Sequence, residues 1–152
     1  MELSARRRFI SGLAGLASAL LLRARGVRAQ PDPFAPLIPQ VTGGAPVRLG
    51  RVTVDTPRLA DNGYSAPLKV SVENPMTATD HVRSITLLSE KNPRPIMARF
   101  HLGPQAGRAA VATRVRLATS QRVLAIAQLS DGSYWAGSAE VEVTESACLD
   151  AS

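Results

Sequence analysis

The feature that most constrains the fold of this chain is a series of short β-type runs, separated by turn signals, from Leu49 onward. The runs are RVTV (51–54), LKVSV (68–72), SITLL (84–88), IMARFHL (96–102), AVATRVRL (110–117), RVLAIAQL (122–129) and SYWAGSAEVEV (133–143). Between them lie turn residues, as in ADNG (60–63), KNPRP (91–95) and SDGS (130–133). No convincing apolar stripe of helical period follows the first 29 residues. The pattern therefore predicts an all-β chain, folded as a small antiparallel β-sandwich of about seven strands.

Several of these runs alternate with period two, which places their apolar side chains on one face. The inner faces are predicted to hold Leu68, Val70 and Val72; Ile96, Ala98, Phe100 and Leu102; and Val111, Thr113, Val115 and Leu117. The run RVLAIAQL is instead almost continuously apolar, as in a central strand buried on both faces. In a domain of this size, that pattern suggests that a partner covers one side of the strand.

The first 29 residues have the layout of an export signal. Three arginines at 6–8 precede an apolar run at 13–22, which is too short for a stable membrane anchor. A small-residue site predicts cleavage near Ala29-Gln30. The paired arginines followed by Phe9-Ile10 resemble the twin-arginine motif, although Ser11 replaces its usual lysine. We therefore expect export to the periplasm. The alternatives are an arginine-rich secretory signal or a poorly cleaved anchor.

Removal of this signal changes the charge of the chain. Six of the 18 basic residues and one of the 12 acidic residues lie in 1–29, which leaves 12 basic and 11 acidic residues. A nearly neutral domain lacks the clustered basic surface that nucleic-acid binding requires. The next segment, residues 30–49, is rich in proline and glycine, and its stretch PDPFAPLIPQVTGGAP (31–46) predicts an extended linker without a helix.

Few residues suggest metal or catalytic chemistry. The two histidines, His81 and His101, could be combined with Cys148 as metal ligands, but they lack the spacing of metal-binding motifs. The alternation around His101 also places it on the solvent face. Sandwich enzymes that bind iron through several histidines and a cysteine need more histidines than this chain has. No nucleophile elbow, phosphate loop or dinucleotide fingerprint is present. The sequence predicts neither a metal nor another cofactor.

Cys148 is the only cysteine of the chain and lies four residues from its end. The last strand-like run ends near Val143, and TESACLDAS after it has no alternation. Chain ends that are not tied into a sheet are mobile, so the thiol is predicted to be accessible to large partners. The alternative is that the tail packs back on the domain and that the thiol is incidental.

Four segments resemble SoxY, the sulfur-carrier family of bacterial thiosulfate oxidation. They are LADNGYSAPLKVSVENPM (59–76), DHVRSITLLSEKNPRPIMARF (80–100), TRVRLATSQRVLAIAQLSDGSYW (113–135) and VEVT (141–144). The resemblance implies an immunoglobulin-like sandwich over 50–144, a heterodimer with a SoxZ-like sandwich subunit, and a cysteine-bearing arm over 145–152. The family's arm ends in Gly-Gly-Cys-Gly-Gly, and its cysteine carries sulfur between periplasmic enzymes. By position, that cysteine corresponds to Cys148.

The residues that flank this cysteine depart from the family pattern: Ser146, Ala147, Leu149 and Asp150. Glycines give an arm the thinness to enter a narrow tunnel, whereas Ala147 and Leu149 add side chains on both sides of the thiol, and Leu149 in particular would clash there. The sequence Ser-Ala-Cys-Leu-Asp is similar to the Ala-Ala-Cys-Ile-Glu arm of a SoxY paralogue. Glu145, Asp150 and the terminal carboxylate disfavour the thiolate. We therefore expect the arm to be activated only in a basic pocket that accepts leucine.

Together these features predict a non-enzymatic periplasmic carrier that presents Cys148 to sulfur-processing partner enzymes. Its cargo would be a sulfur species or another thiol-reactive group. One alternative is an interaction module of the same fold that has lost carrier chemistry and uses its tail for docking or for an intermolecular disulfide. Another is a metal-dependent redox enzyme, which would require bound iron or zinc.

Overall fold

Nine β-strands form two sheets in the part of the chain that the computed structural model describes, residues 31–145. The strands are β1 (Val47–Leu49), β2 (Val52–Asp55), β3 (Leu59–Asn62), β4 (Ala66–Val72), β5 (Val82–Ser89), β6 (Ile96–His101), β7 (Ala110–Val115), β8 (Gln121–Leu129) and β9 (Tyr134–Glu145). One sheet has the order β1-β9-β8-β5-β6, with β3 also paired to β9, and the other has the order β2-β4-β7. The predicted all-β sandwich is confirmed.

Two strands, β1 and β3, add to the seven predicted from the sequence, and both pair with β9 in parallel. The other strand pairs are antiparallel, as expected. The turn predicted within ADNGYSAP (60–67) is present at Gly63 and Tyr64, but it begins later than ADNG suggested, because Leu59–Asn62 is a strand. The side-chain amide of Asn62 begins this turn by accepting the backbone N–H of Tyr64 at 3.2 Å.

The main core lies between the two sheets and follows the predicted alternation. Leu68, Val70 and Val72 of β4 are buried, and residues Val123 and Ala125 of β8 lie in the same core. Apolar burial of this kind supplies the main driving force for folding.

Strand β6 departs from its predicted alternation. A β-bulge between β5 and β6 pairs Leu87 with Ala98 but Leu88 with Ile96. The extra residue turns Met97 toward the core and leaves Ile96 39% exposed, so the prediction that Ile96 lies on the inner face is wrong. Beyond the bulge the alternation holds, and His101 is exposed as predicted.

The segment before β1 is folded, and its prediction as an extended linker without a helix is wrong. Helix α1 spans Ile38–Thr42, with Pro39 in its first turn, where a missing N–H costs little. Gly43 ends the helix with a φ of 65°, and its N–H donates to the Pro39 carbonyl at 2.8 Å. The prolines that suggested a linker are therefore compatible with this short helix.

This segment covers the outer face of β8. Leu124 and Ile126 of β8 form a second cluster with Phe34, which is 1% exposed, and Leu37 and Val41 pack against that cluster. The prediction that RVLAIAQL is buried on both faces is confirmed. The inference that a partner covers one face is wrong for this strand, because the chain covers that face with its own residues.

Polar contacts hold the segment in place over β8. The guanidinium of Arg122 lies over the ring of Phe34, 4.9 Å from its centroid, and forms an ion pair with Asp32 at 2.7 Å. The same carboxylate accepts the backbone N–H of Phe34 at 3.2 Å. Residues 32–42 therefore cover the outer face of β8. In the described residues no helix is long and apolar enough to cross a membrane.

The turn between β8 and β9 follows its predicted Asp-Gly chemistry, with Gly132 at a φ of 83°. The Ser133 hydroxyl and backbone N–H donate to the Asp131 carboxylate at 2.6 and 2.8 Å. These bonds, the hydroxyl first, hold the pKa of Asp131 below its ordinary value, and the charges of Arg48 and Arg51 lower it further.

Gly137 of β9 allows the two sheets to approach closely. A Cβ at this position would lie 2.9 Å from the carbonyl carbon and 3.3 Å from the Cβ of Val52 in β2. Because the nearest atoms belong to backbone, no side-chain rotation could relieve the clash.

Candidate functional site

The five residues that the sequence singles out lie outside the described residues: Ser146, Ala147, Cys148, Leu149 and Asp150. Their predicted roles stay predictions. The structure describes the chain up to Glu145, the last residue of β9, and we call residues 143–145 the arm base. Cys148 is three positions beyond Glu145 in the sequence, a distance that a fully extended chain spans in about 11 Å.

Strand β3 fixes the arm base from one side. Its parallel register pairs Asn62 with Glu145. The Thr144 hydroxyl donates to the carbonyl oxygens of Ala60, at 3.3 Å, and of Asp61. Backbone pairing and a side-chain hydroxyl therefore hold the same three residues of β9.

Gly63 connects the arm base to the residues that follow β7. Its backbone N–H donates to the Glu145 carbonyl at 2.8 Å, and its own carbonyl accepts the Leu117 N–H at 2.7 Å. Gly63 itself is buried. One residue thus joins the last described residue of β9 to the chain beside Arg116.

Ser120 fastens the arm base at a second point. Its hydroxyl accepts the Val143 N–H at 2.8 Å and lies 3.5 Å from the Val143 carbonyl, to which it donates. Val143 is also one of the residues that pack against the main core. The end of β9 is consequently fixed by hydrogen bonds and by apolar packing.

Two arginines and a tyrosine lie beside the arm base, and we call Tyr64, Arg114 and Arg116 the arginine–tyrosine cluster. Tyr64 is 53% exposed, and the guanidinium of Arg116 lies 5.2 Å from its ring centroid. Arg114 donates to the hydroxyl and carbonyl oxygens of Ser65 at 2.6 and 2.9 Å. This cluster is not among the sites predicted from the sequence. Its one signal was the alternation TRVR, which turns both arginines away from the buried Val115.

A polar groove of about 310 Å³ opens on the other side of Ser120. Its charged lining comprises Arg58, Lys91, Arg122, Glu90, Glu140 and Glu142. Lys91 donates to the Ser120 carbonyl at 2.9 Å, and Glu90 accepts the backbone N–H of Arg122 at 3.0 Å. Equal numbers of basic and acidic side chains give the groove no preference for one sign of charge.

The two histidines occupy separate places. His81 lies in the loop before β5, where its backbone N–H donates to the Ser130 hydroxyl at 3.1 Å, and His101 ends β6. Over residues 31–145, no three histidine, cysteine, aspartate or glutamate side chains are grouped as metal ligands would be.

The model of one protein family, described as "Sulfur oxidation protein SoxY", matches residues 38–148. The match extends from α1, through the whole sandwich and the arm base, to the single cysteine. No curated protein sequence matches the chain significantly.

Solved structures share the sandwich. The sulfur carrier protein SoxY from Chlorobium limicola f thiosulfatophilum has a TM-score of 0.60 at 24% identity, covering 72% of this chain and 94% of that chain. A superoxide reductase (neelaredoxin) from Ignicoccus hospitalis has a TM-score of 0.55 at 21% identity, covering 62% and 80%. A putative superoxide reductase from Thermotoga maritima has a TM-score of 0.54 at 20% identity, covering 64% and 87%. At these identities the likeness shows the fold alone.

Proposed function

The chain belongs to the SoxY family of sulfur oxidation proteins, and from that premise we propose that it carries a sulfur species covalently on Cys148. The observation that carries the proposal is the extent of the family match, which ends at the one thiol of the chain. The sandwich is then a rigid support, and β9 ends at Glu145, three positions before that thiol in the sequence.

The chemistry proposed for Cys148 is exchange between sulfur atoms. Its thiolate attacks the outer sulfur of a persulfide held by a donor protein. A new S–S bond forms on Cys148, the S–S bond of the donor breaks, and the donor thiolate leaves with the electron pair. One S–S bond replaces another, so the step needs no external oxidant. The carrier is a substrate for its partner enzymes and catalyses no reaction itself.

The proposed partners are a SoxZ-like sandwich subunit and periplasmic enzymes that receive the arm. Because residues 32–42 already cover the outer face of β8, the SoxZ-like subunit would bind elsewhere on the sandwich. The receiving pockets would accept Leu149 and Asp150 in place of glycines, and a basic group in them would favour the thiolate.

The proposed location is the periplasm, reached by the twin-arginine route with cleavage near Ala29-Gln30. The support is the arginine-rich start and the short apolar run of residues 1–29. Replacement of Arg7 and Arg8 by lysine should retain the protein in the cytoplasm, as checked by cell fractionation. Continued export of that variant would contradict the route.

Intact-protein mass spectrometry tests the carrier function. Protein purified from the periplasm, or incubated with glutathione persulfide, should gain the mass of one or more sulfur atoms, and a thiol reductant should remove them. Cys148→Ser is the matched control and should gain none. A thiol that stays unmodified under both conditions refutes the carrier. In that case, unchanged partner binding by Cys148→Ser would support the interaction module.

A further inference from the structure

Strand β6 forms one edge of the larger sheet, where it pairs only with β5, and we call the unpaired side of Ile96–His101 the β6 edge. Within residues 31–145, the backbone of β6 makes no hydrogen bond on that side. The Leu102 N–H, just after the strand, donates to the Arg83 carbonyl of β5 at 2.9 Å. Because backbone groups alternate along a strand, the N–H groups of Arg99 and His101 point away from β5. The β6 edge is therefore a template on which another strand can pair.

The main core is also open along the β6 edge. Ile85 and Leu87 of β5 are 0% exposed, whereas their register partners on β6, Phe100 and Ala98, are only half-buried. Both partners pack against the main core, yet part of their apolar surface stays in contact with water. A strand added to the β6 edge would remove that surface from water, with a gain of about 25 cal/mol for each Å² buried. Apolar surface therefore favours pairing at the same place as the free backbone groups.

Charges are distributed unevenly over this nearly neutral domain. Residues 91–130 contain seven basic and no acidic residues, whereas 31–90 and 131–145 together contain five basic and ten acidic residues. Arg94 lies two positions before β6 and Arg99 lies within it, and both are exposed. Glu90, the one acidic residue of the β5–β6 hairpin, accepts the backbone N–H of Arg122 in β8 at 3.0 Å. The β6 edge is therefore cationic.

Arg99 is held on the outer face of the sheet. Its Nε donates to the Thr86 hydroxyl of β5 at 3.1 Å, and Thr86 is 1% exposed. Its other two guanidinium nitrogens bind no group of the described residues. If two copies of this chain paired through β6, the arginines of both copies would be brought together and would repel each other. The same arginines favour a strand with acidic side chains, because directly opposite residues of a strand pair lie about 5 Å apart.

We propose that the β6 edge docks another protein through an added strand in which acidic and apolar side chains alternate. The acidic side chains lie on the outer face with Arg99, and the apolar ones cover Phe100 and Ala98 on the inner face. A row of unpaired N–H and C=O groups selects a strand over a nucleic acid, which offers no matching row. The inference goes beyond the proposed function, because it does not depend on sulfur chemistry at Cys148.

The probe that tests this dock is a blocked eight-residue peptide of alternating glutamate and valine, added to the ¹⁵N-labelled protein in 0.15 M NaCl. At millimolar concentration it should shift the amide resonances of β6 and slow the amide hydrogen exchange of Arg99 and His101. Arg94→Glu/Arg99→Glu should raise the Kd of the peptide about fivefold or more, because attractive cross-strand pairs become repulsive. Arg58→Glu/Lys69→Glu is the matched control, with the same change in net charge at exposed positions outside β6, and should raise the Kd less than about twofold.

A second peptide separates strand pairing from attraction between charges alone. Proline in place of its two central valines keeps every glutamate but removes backbone donors and strand geometry, so this peptide should not bind. Equal binding of the proline peptide would overturn the dock, and so would an unchanged Kd in Arg94→Glu/Arg99→Glu. Absence of binding by the first peptide would also overturn it, and the arginines would then only protect the edge from aggregation. Sedimentation analysis of the free protein supplies the last check, because a dimer that Arg94→Glu/Arg99→Glu abolishes would assign the β6 edge to a second copy instead.

Discussion

Replacement of Phe34 by alanine tests whether residues 32–42 belong to the folded domain. The ring is 1% exposed and lies among Leu88, Leu124 and Ile126. Truncation of a buried phenylalanine to alanine costs about 3–5 kcal/mol, from lost transfer free energy and from the cavity left behind. The stacked guanidinium of Arg122 adds about 0.5–1 kcal/mol to that loss. We expect the free energy of unfolding to fall by about 3.5–6 kcal/mol in total, and the melting temperature to fall by about 10–25 °C.

The assay is urea denaturation of the purified protein, followed by the fluorescence of its single tryptophan. Gln40→Ala is the matched control, because Gln40 is an exposed residue of α1 whose side chain bonds only the Pro36 carbonyl among the contacts described. The control should change the free energy of unfolding by less than about 0.5 kcal/mol. If Phe34→Ala is equally mild, residues 32–42 do not cover β8, and the second core described for this sheet is wrong.

Three further predictions concern the sheets, the β8–β9 turn and the arm base. Gly137→Ala should lower the free energy of unfolding by about 3 kcal/mol or more, because the new Cβ meets backbone of β2; urea denaturation checks this. Ser133→Ala should raise the pKa of Asp131 toward its ordinary value, as followed by NMR titration of its carboxyl carbon. Because folding lowers the pKa of Asp131, its carboxylate stabilises the folded protein at pH values above its unfolded-state pKa. This stabilisation is lost as the pH falls through its folded-state pKa. Ser120→Ala should speed exchange of the Val143 amide hydrogen about fivefold, and an unchanged rate would show that the hydroxyl does not fasten the arm base.

The sandwich could be predicted because its longer strands are half-buried. In β4, Leu68, Val70 and Val72 alternate with exposed or partly exposed neighbours, and this period is visible in sequence. Strands β1 and β3 have three and four residues and are largely exposed, so they carry no such period. Helix α1 has five residues, which is too short for a helical stripe, and its neighbouring prolines suggested the opposite.

The candidate site could be predicted only in part. Cys148 stood out as the single cysteine on a tail without strand character, and the family match reaches it. The arginine–tyrosine cluster could not be found in the same way, because Tyr64 and Arg116 meet only after β3 pairs with β9 and Gly63 bonds Glu145 and Leu117. Such contacts depend on the register of distant segments, which no local pattern encodes.

The way in which β9 ends also determines how the protein responds to mechanical load. Under the proposed function, an enzyme that bound Cys148 would pull on the chain just beyond Glu145, and one component of that pull would act along β9. The hydrogen bonds of the antiparallel β8–β9 pair lie perpendicular to the strands and those of the parallel β3–β9 pair are slanted, so a pull along β9 loads both sets mainly in shear instead of opening them one at a time. Ser120 and Thr144 add side-chain bonds at the loaded end. The end of β9 is therefore held against tension along the strand, and a partner that acted on Cys148 as proposed would not unravel the sheet.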